Sequence, residues 1–214
     1  MEELRLQYEG YAAECRCALR TVMARLENLR QETELSSGRS PFDAIEYRIK
    51  SFDSVVEKCQ RKGYDLTIES IKANITDVAG VRVITPFRDD IYTLEKAIIR
   101  QPSMTVMERR DYIEQPKKNG YQSLHLIVFM EIYFMNTSKA IPVEIQIRDK
   151  AMDLWAAIDH IIRYKNPNFN DQDGNEQMKN LAEILNDFDQ KAIGLRNYAG
   201  LIETMSTRSI DDIP

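Results

Sequence analysis

Residues 143–148 read VEIQIR. Val143, Ile145 and Ile147 alternate with Glu144, Gln146 and Arg148, which is the two-residue period of a strand with one face in a core and one face polar. The same parity recurs upstream. In YQSLHLIV (121–128) Ser123 and His125 fall opposite Leu124, Leu126 and Val128, and in VRVIT (81–85) Arg82 falls opposite Val81 and Val83. If these segments are neighbours, one side of the sheet gathers Arg82, Ser123, His125, Glu144, Gln146 and Arg148. An antiparallel sheet with one wetted face shows the same alternation, so parity alone assigns no chemistry.

Four segments carry this strand character: Val81–Thr85, Thr105–Arg109, Tyr121–Phe134 and Ile141–Arg148, with a helical pattern over Asp90–Arg100 between the first two. The class is α+β, with a mixed, largely antiparallel central sheet flanked by helices. On the N-terminal side, Leu4, Tyr8, Tyr11, Cys15, Leu19, Val22, Leu26 and Leu29 recur in steps of three and four, which predicts one long amphipathic helix ending at Ser36-Ser37-Gly38. Ser40-Pro41-Phe42-Asp43 has the order of a helix start and predicts a short helix. EYRIK (46–50) alternates like a strand, Ser51-Phe52-Asp53 restarts a helix that Gly63 closes, and another short helix covers Thr67–Ala73. After Asp149 the chain turns helical to Lys165 and crosses a loop (166–175). It resumes as a helix with Leu181, Leu185, Phe188, Ala192, Leu195 and Ile202 on one stripe. The organisation is an N-terminal helix (1–39), a central domain (40–165) and a C-terminal helical extension (166–214), and the apolar stripes of both terminal parts are expected to seek partners.

Composition narrows the function classes. The chain has 214 residues, 43% of them hydrophobic, enough for a core without disulfides. Its three cysteines, with Cys15 and Cys17 on different helix faces, support neither a disulfide framework nor a zinc site, which suits a reducing cytoplasm. No apolar run approaches the ~20 residues of a membrane span, and MEELRLQYEG lacks the features of a secretory leader. The formal net charge of −5 disfavours a broad grip on nucleic acid and gives RNA binding no support. Small phosphorylated ligands stay open.

Two carboxylates and a ring of cations sharpen that. Asp77 lies in TDVAGVRV, where Ala-Gly lets the backbone turn into a strand and leaves the acid at its entrance. A second acid, Glu144, sits on a strand that could neighbour it, and two carboxylates beside cations suit one Mg²⁺ and a polyphosphate. Arg48 and Lys50 share a strand face, Lys58 and Arg61 share a helix face, and Arg109 and Arg110 precede KKNGYQSLH (117–125), which itself opens with Lys117 and Lys118. In that last segment a cationic Asn-Gly turn is followed at once by the ring of Tyr121.

Taken together, EYRIKS with KCQRKG, TDVAGVRVIT, RRDYIEQPKKNGYQSLH, VEIQIRDKAM and WAAIDHIIRYK resemble, in order and spacing, the synthetase domain of the RelA/SpoT alarmone synthetases, over about Arg48–Lys165. With His125 and His160 its only histidines, the chain has no counterpart of the metal-dependent hydrolase of larger members and resembles the stand-alone small alarmone synthetases. The resemblance implies a nucleotidyltransferase-like domain that moves the β,γ-diphosphate of ATP to the 3′-hydroxyl of GDP or GTP and releases AMP. Asp77 would be the Mg²⁺ ligand, and Glu144 the second essential acid, as base or metal ligand. Arg48 and Arg82 would sandwich the adenine, and Lys50, Ser54, Lys58 and Arg61 would hold the ATP phosphates. Tyr121 would stack on guanine, Arg110 and Lys117 would meet nucleotide phosphates, and His125, Gln146 and Asp153 would line the acceptor side. A homotetramer built through terminal helices is implied as well.

The chain departs from the family pattern at Asp149, where a Thr is usual, at Asp159 in place of Glu, and at Asp153, where a relative carries Asn near guanine. Ala44 lacks the aromatic of relatives that bind alarmone between subunits. Two other functions stay open: a toxic relative that pyrophosphorylates the 3′ end of tRNA, and a non-catalytic guanine-nucleotide or alarmone binding module.

Overall fold

In the computed structural model the described residues are 1–102, 104–166, 169 and 171–200. Ile202, expected on the C-terminal stripe, lies outside them. The elements in chain order are α1 (Glu2–Ser37), β1 (Ala44–Ile49), α2 (Phe52–Lys62), α3 (Ile68–Asn74), β2 (Ala79–Thr85) and α4 (Arg88–Ile99). They continue with β3 (Met104–Asp111), β4 (Leu124–Tyr133), β5 (Ser138–Asp149), α5 (Lys150–Lys165) and α6 (Gln172–Tyr198).

Among the described residues the strands form one open sheet in the order β1-β2-β5-β4-β3. Only β2 and β5 run parallel, so the sheet is mixed and largely antiparallel. The register decides which side chains meet. Arg82 lies beside Glu46 on one side and Gln146 on the other, Gln146 lies beside His125, and His125 lies beside Arg110. One row of polar side chains therefore crosses all five strands. The opposite face carries Val81, Val83, Leu124, Leu126, Val128, Val143, Ile145 and Ile147, all buried.

That face is covered largely by α1. Leu4, Tyr8, Tyr11, Cys15, Leu19, Val22 and Leu26 are buried in the same cluster as the strand residues, each large apolar side chain contributing about 1.5–3 kcal/mol when fully removed from water. The N-terminal stripe is thus satisfied by the chain's own sheet. The helix stops where expected, at Gly38, whose φ of 69° is the left-handed conformation of a C-cap.

The short helix expected at 40–43 does not form. Ser40 Oγ donates to the Phe42 carbonyl at 2.6 Å, and the Asp43 N–H donates to the Ile84 carbonyl at 2.8 Å, drawing the segment toward β2. Phe42 is fully buried, so core packing and the ladder outweigh the local capping pattern. Similarly, β4 begins at Leu124 rather than Tyr121. The preceding backbone closes the loop instead, with Tyr112 N–H to Ser123 O at 2.9 Å and Lys117 N–H to Tyr121 O at 3.1 Å.

Polar anchors tie α6 to the rest. Arg88 at the start of α4 pairs with Asn186, and its backbone N–H donates to Asp189 at 3.3 Å. Arg196 clamps Asp89, and its guanidinium lies 4.8 Å from the Phe87 ring centre. Asp149, the N-cap of α5, accepts from Met152 N–H at 2.7 Å and stands 3.6 Å from Arg88. The departure at 149 therefore has a capping role on the face away from the polar row.

Burial and the nearby charge of Asp149 push the Asp189 carboxyl up to about 6, against the opposing pull of Arg88. Its folded value lies above the unfolded one, so its contribution to stability is greatest below about pH 4 and is lost as pH rises through about 6. Asp189→Asn is expected to raise Tm by roughly 2–6 °C at pH 7–8, with the gain vanishing toward pH 4. Thermal melts across that range check this, and a gain that grows on acidification would contradict it.

Candidate active site

At one end of the polar row, β1, α2 and the turn before β2 converge on a cationic cleft. It is lined by Arg48, Lys50, Ser51, Ser54, Glu57, Lys58 and Arg61. Lys58 and Arg61 arrive on one helix face with Ser54, because steps of four and three return to the same side. Ser51 caps α2, its hydroxyl accepting from Ser54 N–H at 3.2 Å, so the positive end of the helix also opens on the cleft. Two of the lining lysines hold Asp77, which accepts from Lys50 Nζ at 2.5 Å and from Lys58 Nζ at 2.8 Å. Burial opposes the Asp77 charge, but the two ammonium groups outweigh burial and hold the carboxyl below the usual range.

A second cleft adjoins the first through Arg48. Glu46, Arg48, Gly80, Arg82, Glu144 and Gln146 line it. Gly80 lies between the two arginines in the register, and a Cβ there would stand 3.9 Å from Arg48 Cγ, so its missing side chain widens the gap. Arg82 is fixed from both sides, donating to Glu46 at 2.8 Å and to Gln146 Oε1 at 2.7 Å. A planar base would meet one guanidinium already oriented.

The other half of the row is aromatic. Gln146 Nε2 donates to the Tyr121 hydroxyl at 2.6 Å and lies 3.1 Å from His125 Nε2, while His125 Nδ1 lies 3.1 Å from Glu144 Oε1. A neutral His125 protonated on Nδ1 satisfies both contacts, donating to Glu144 and accepting from Gln146. Burial works against the Glu144 charge, yet His125 and Lys58 hold its carboxyl below the usual range despite Asp77 nearby. Burial pushes the Tyr121 phenol above its ordinary value. The Tyr121 ring lies 5.9 Å from Trp155 and 6.3 Å from Tyr112, and Lys117 Nζ stands 4.8 Å and 4.6 Å from the Tyr121 and Tyr112 ring centres. Burial lowers the Lys117 pKa, with Glu144 opposing that effect. Arg148 is buried and paired with Asp153.

Of the site residues expected from sequence, Arg82, Gln146, His125 and Arg110 lie on the row, and Arg48, Lys50, Ser54, Lys58 and Arg61 line the cationic cleft, with Asp77 held by its lysines. Glu144 and Tyr121 contact the row, Lys117 stands over the Tyr121 ring, and Asp153 lies on α5 against Arg148. Arg110 lies on the row beside His125, engaged with Glu108 at 2.5 and 2.6 Å. Arg109 does not join it. One residue out of phase, it turns to the other side and pairs with Glu95 at 2.6 Å. Asp159 pairs with Arg163 at 2.7 Å along α5. Sequence reasoning passed over Glu46, Tyr112 and Trp155. Glu46 was within reach, since it shares the parity of Arg48 in EYR. Tyr112 and Trp155 were not, because their contact with the loop depends on tertiary packing.

Among the described residues no group of three or more His, Cys, Asp or Glu side chains could hold a metal by itself. Asp77 and Glu144 supply hard, ionised oxygens and no nitrogen or sulfur set, which fits a Mg²⁺ ion completed by phosphate oxygens.

The chain is similar to known proteins over most of its length. The family described as "Region found in RelA / SpoT proteins" matches residues 47–168. GTP pyrophosphokinase YwaC of Bacillus subtilis is 36% identical over 199 residues, 92% of this chain and 95% of that protein. GTP pyrophosphokinase YjbM of the same organism is 34% identical over 160 residues, 74% of each. The crystal structure of B. subtilis small alarmone synthetase 1 bound to its product pppGpp superposes with a TM-score of 0.82 at 29% identity, covering 91% of this chain and 98% of that one. That of B. subtilis small alarmone synthetase 2 gives 0.79 at 34% identity, covering 89% and 98%. By the family match, these relatives and the shared fold, the chain belongs to the RelA/SpoT family and resembles its small stand-alone synthetases.

Proposed function

We propose that this protein is a GTP pyrophosphokinase, transferring the β,γ-diphosphate of ATP to the 3′-hydroxyl of GDP or GTP with release of AMP, as in the stringent response. The observation that carries this reading is the position of Glu144. The carboxylate lines the Arg48/Arg82 cleft and also contacts His125, which leads to Tyr121, so it stands at the boundary of two sites. A base there suits a hydroxyl from one nucleotide attacking phosphorus of the other.

In this mechanism Arg48 and Arg82 take the adenine, and Lys50, Ser54, Lys58 and Arg61 take the phosphates. Tyr121 stacks on guanine while Lys117 and Arg110 meet phosphates. His125 orients Glu144, Gln146 fixes the Tyr121 hydroxyl, and Asp153 accepts from the base edge. Asp77 and Glu144 would hold Mg²⁺, which supplies charge neutralisation at the phosphates when bound. Lys50 and Lys58, now on Asp77, would also reach phosphates in the same cleft. Their present ion pairs keep the acid charged beforehand. Among the described residues no helix is long and apolar enough to cross a membrane, and we place the protein in the cytoplasm, where its nucleotide substrates are.

Incubation with γ-labelled ATP and, separately, GDP, GTP, GMP and tRNA tests the function. Label should move to GDP or GTP with AMP formed in equal amount. Label on tRNA alone would make the protein a tRNA pyrophosphokinase, and binding without transfer would make it a regulatory module.

Assembly is a further part of the reading. While the buried stripe of α1 covers the chain's own sheet, α6 presents Ile184, Phe188 and Leu195, which are 65%, 64% and 69% exposed. Three large apolar groups on one helix side favour burial against another copy. Light scattering at micromolar concentration is expected to give a homotetramer, and a monomeric mass would refute it.

A further inference from the structure

Gly120 has a φ of 87° and closes the turn that begins at Lys117, its N–H donating to the Lys117 carbonyl at 2.8 Å. A Cβ at this position would stand 2.8 Å from Lys179 Cα and 2.9 Å from Ala182 Cβ. Both are atoms of α6 that cannot swing aside, so the loop backbone is seated directly on the helix. One turn earlier, the Met178 carbonyl accepts from Trp155 Nε1 at 2.8 Å, and Trp155 packs against Tyr121. Met152, Trp155, Met178 and Ala182 form a small core of their own, with Tyr121 against it, separate from the core under the sheet.

We propose that α6, through Ala182 and Met178, is the positioning element of the guanine-nucleotide side: it fixes loop 117–121 and with it Tyr121 and Lys117. Ala182 and Met178 are positioning residues, since neither belongs to the polar row. The donor side is built on β1, α2 and β2, and α6 contributes nothing to either cleft there. The brace also lies beyond the stretch that matches the family, which ends at residue 168. This inference rests on reading the Tyr121 side as the acceptor pocket.

Ala182→Leu in the full chain adds bulk where the loop backbone rests. The expected result is a rise of about tenfold or more in the KM for GDP, with the KM for ATP within about twofold, and Ala182→Ser close to wild type. Equal loss for both nucleotides, or no change in either, would overturn the assignment. Should Ala182→Leu fail to fold, the wild-type protein provides the test, because Trp155 is its one tryptophan and sits at the junction. GDP should change Trp155 emission and a non-hydrolysable ATP analogue should not, and an equal response to both would overturn the proposal. This titration needs no turnover. GDP that binds and moves Trp155 emission without receiving diphosphate would leave the brace standing and refute the enzymatic reading.

Discussion

Asp77→Asn and Glu144→Gln are each expected to reduce diphosphate transfer by about 10²-fold or more while leaving the fold and thermal stability near wild type. Loss of one preorganised charge at a transferring phosphoryl group is typically worth several kcal/mol of barrier. The two variants need not share one origin. Asp77 is ionised because Lys50 and Lys58 bind it, so its amide leaves two ammonium groups facing each other with no anion between them, and MgATP placement should suffer first. Glu144 is ionised with His125 as its partner, so if it acts as the base its amide would lower kcat with both nucleotides still bound, whereas if it is a metal ligand its amide would share the MgATP defect of Asp77→Asn. Because both carboxyls are held below the ordinary range, neither should produce an activity transition near neutral pH. Turnover above a tenth of wild type in either variant, with Mg²⁺ present, would remove the assignment.

Tyr121→Ala should impair the acceptor far more than the donor, worsening kcat/KM for GDP by about 5- to 150-fold, the range for a lost base-aromatic stack of about 1–3 kcal/mol. The proposed adenine contacts, Arg48 and Arg82, line a cleft to which Tyr121 does not contribute. Tyr121→Phe keeps the π-face but leaves the Gln146 amide without its 2.6 Å acceptor, so its effect should be smaller yet measurable. Arg82→Ala should show the reverse selectivity, with ATP the nucleotide that suffers. If Tyr121→Ala harms ATP and GDP alike, or if Phe is as damaging as Ala, the ring serves packing or hydroxyl donation rather than stacking.

The polar face was legible because strands repeat every two residues: the parity of VRVIT, SLHLIV and VEIQIR puts Arg82, His125, Glu144 and Gln146 on one side in any register that keeps the core apolar. The roles of those residues were not in the parity and came from the resemblance. The order of strands was not legible either. Nothing in the local pattern of VRVIT says that its partner is the last strand, or that the pair runs parallel. Ser40–Asp43 misled because its helix-start pattern is local, whereas the burial of Phe42 and the bond from Asp43 to Ile84 are not. The α6 contact at Gly120 escaped for the same reason: the glycine reads as turn chemistry, and the helix it touches lies some sixty residues later.

The parallel pairing of β2 with β5 joins Arg82 to Gln146 across 64 residues of chain. Chain elongation therefore releases β1 and β2 long before β5, the strand that must lie beside β2. Through that interval β2 has a bare edge, and closing so long a loop is slow compared with forming the β4–β5 hairpin. Such an edge is the kind that nascent chains misuse for pairing with one another. The central strand β5 arrives carrying Glu144 and Gln146 together, so it completes the sheet and brings the second acid in one event. A half-made chain can gather the lysines around Asp77 but lacks Glu144, so completing the sheet and assembling the two carboxylates are the same step.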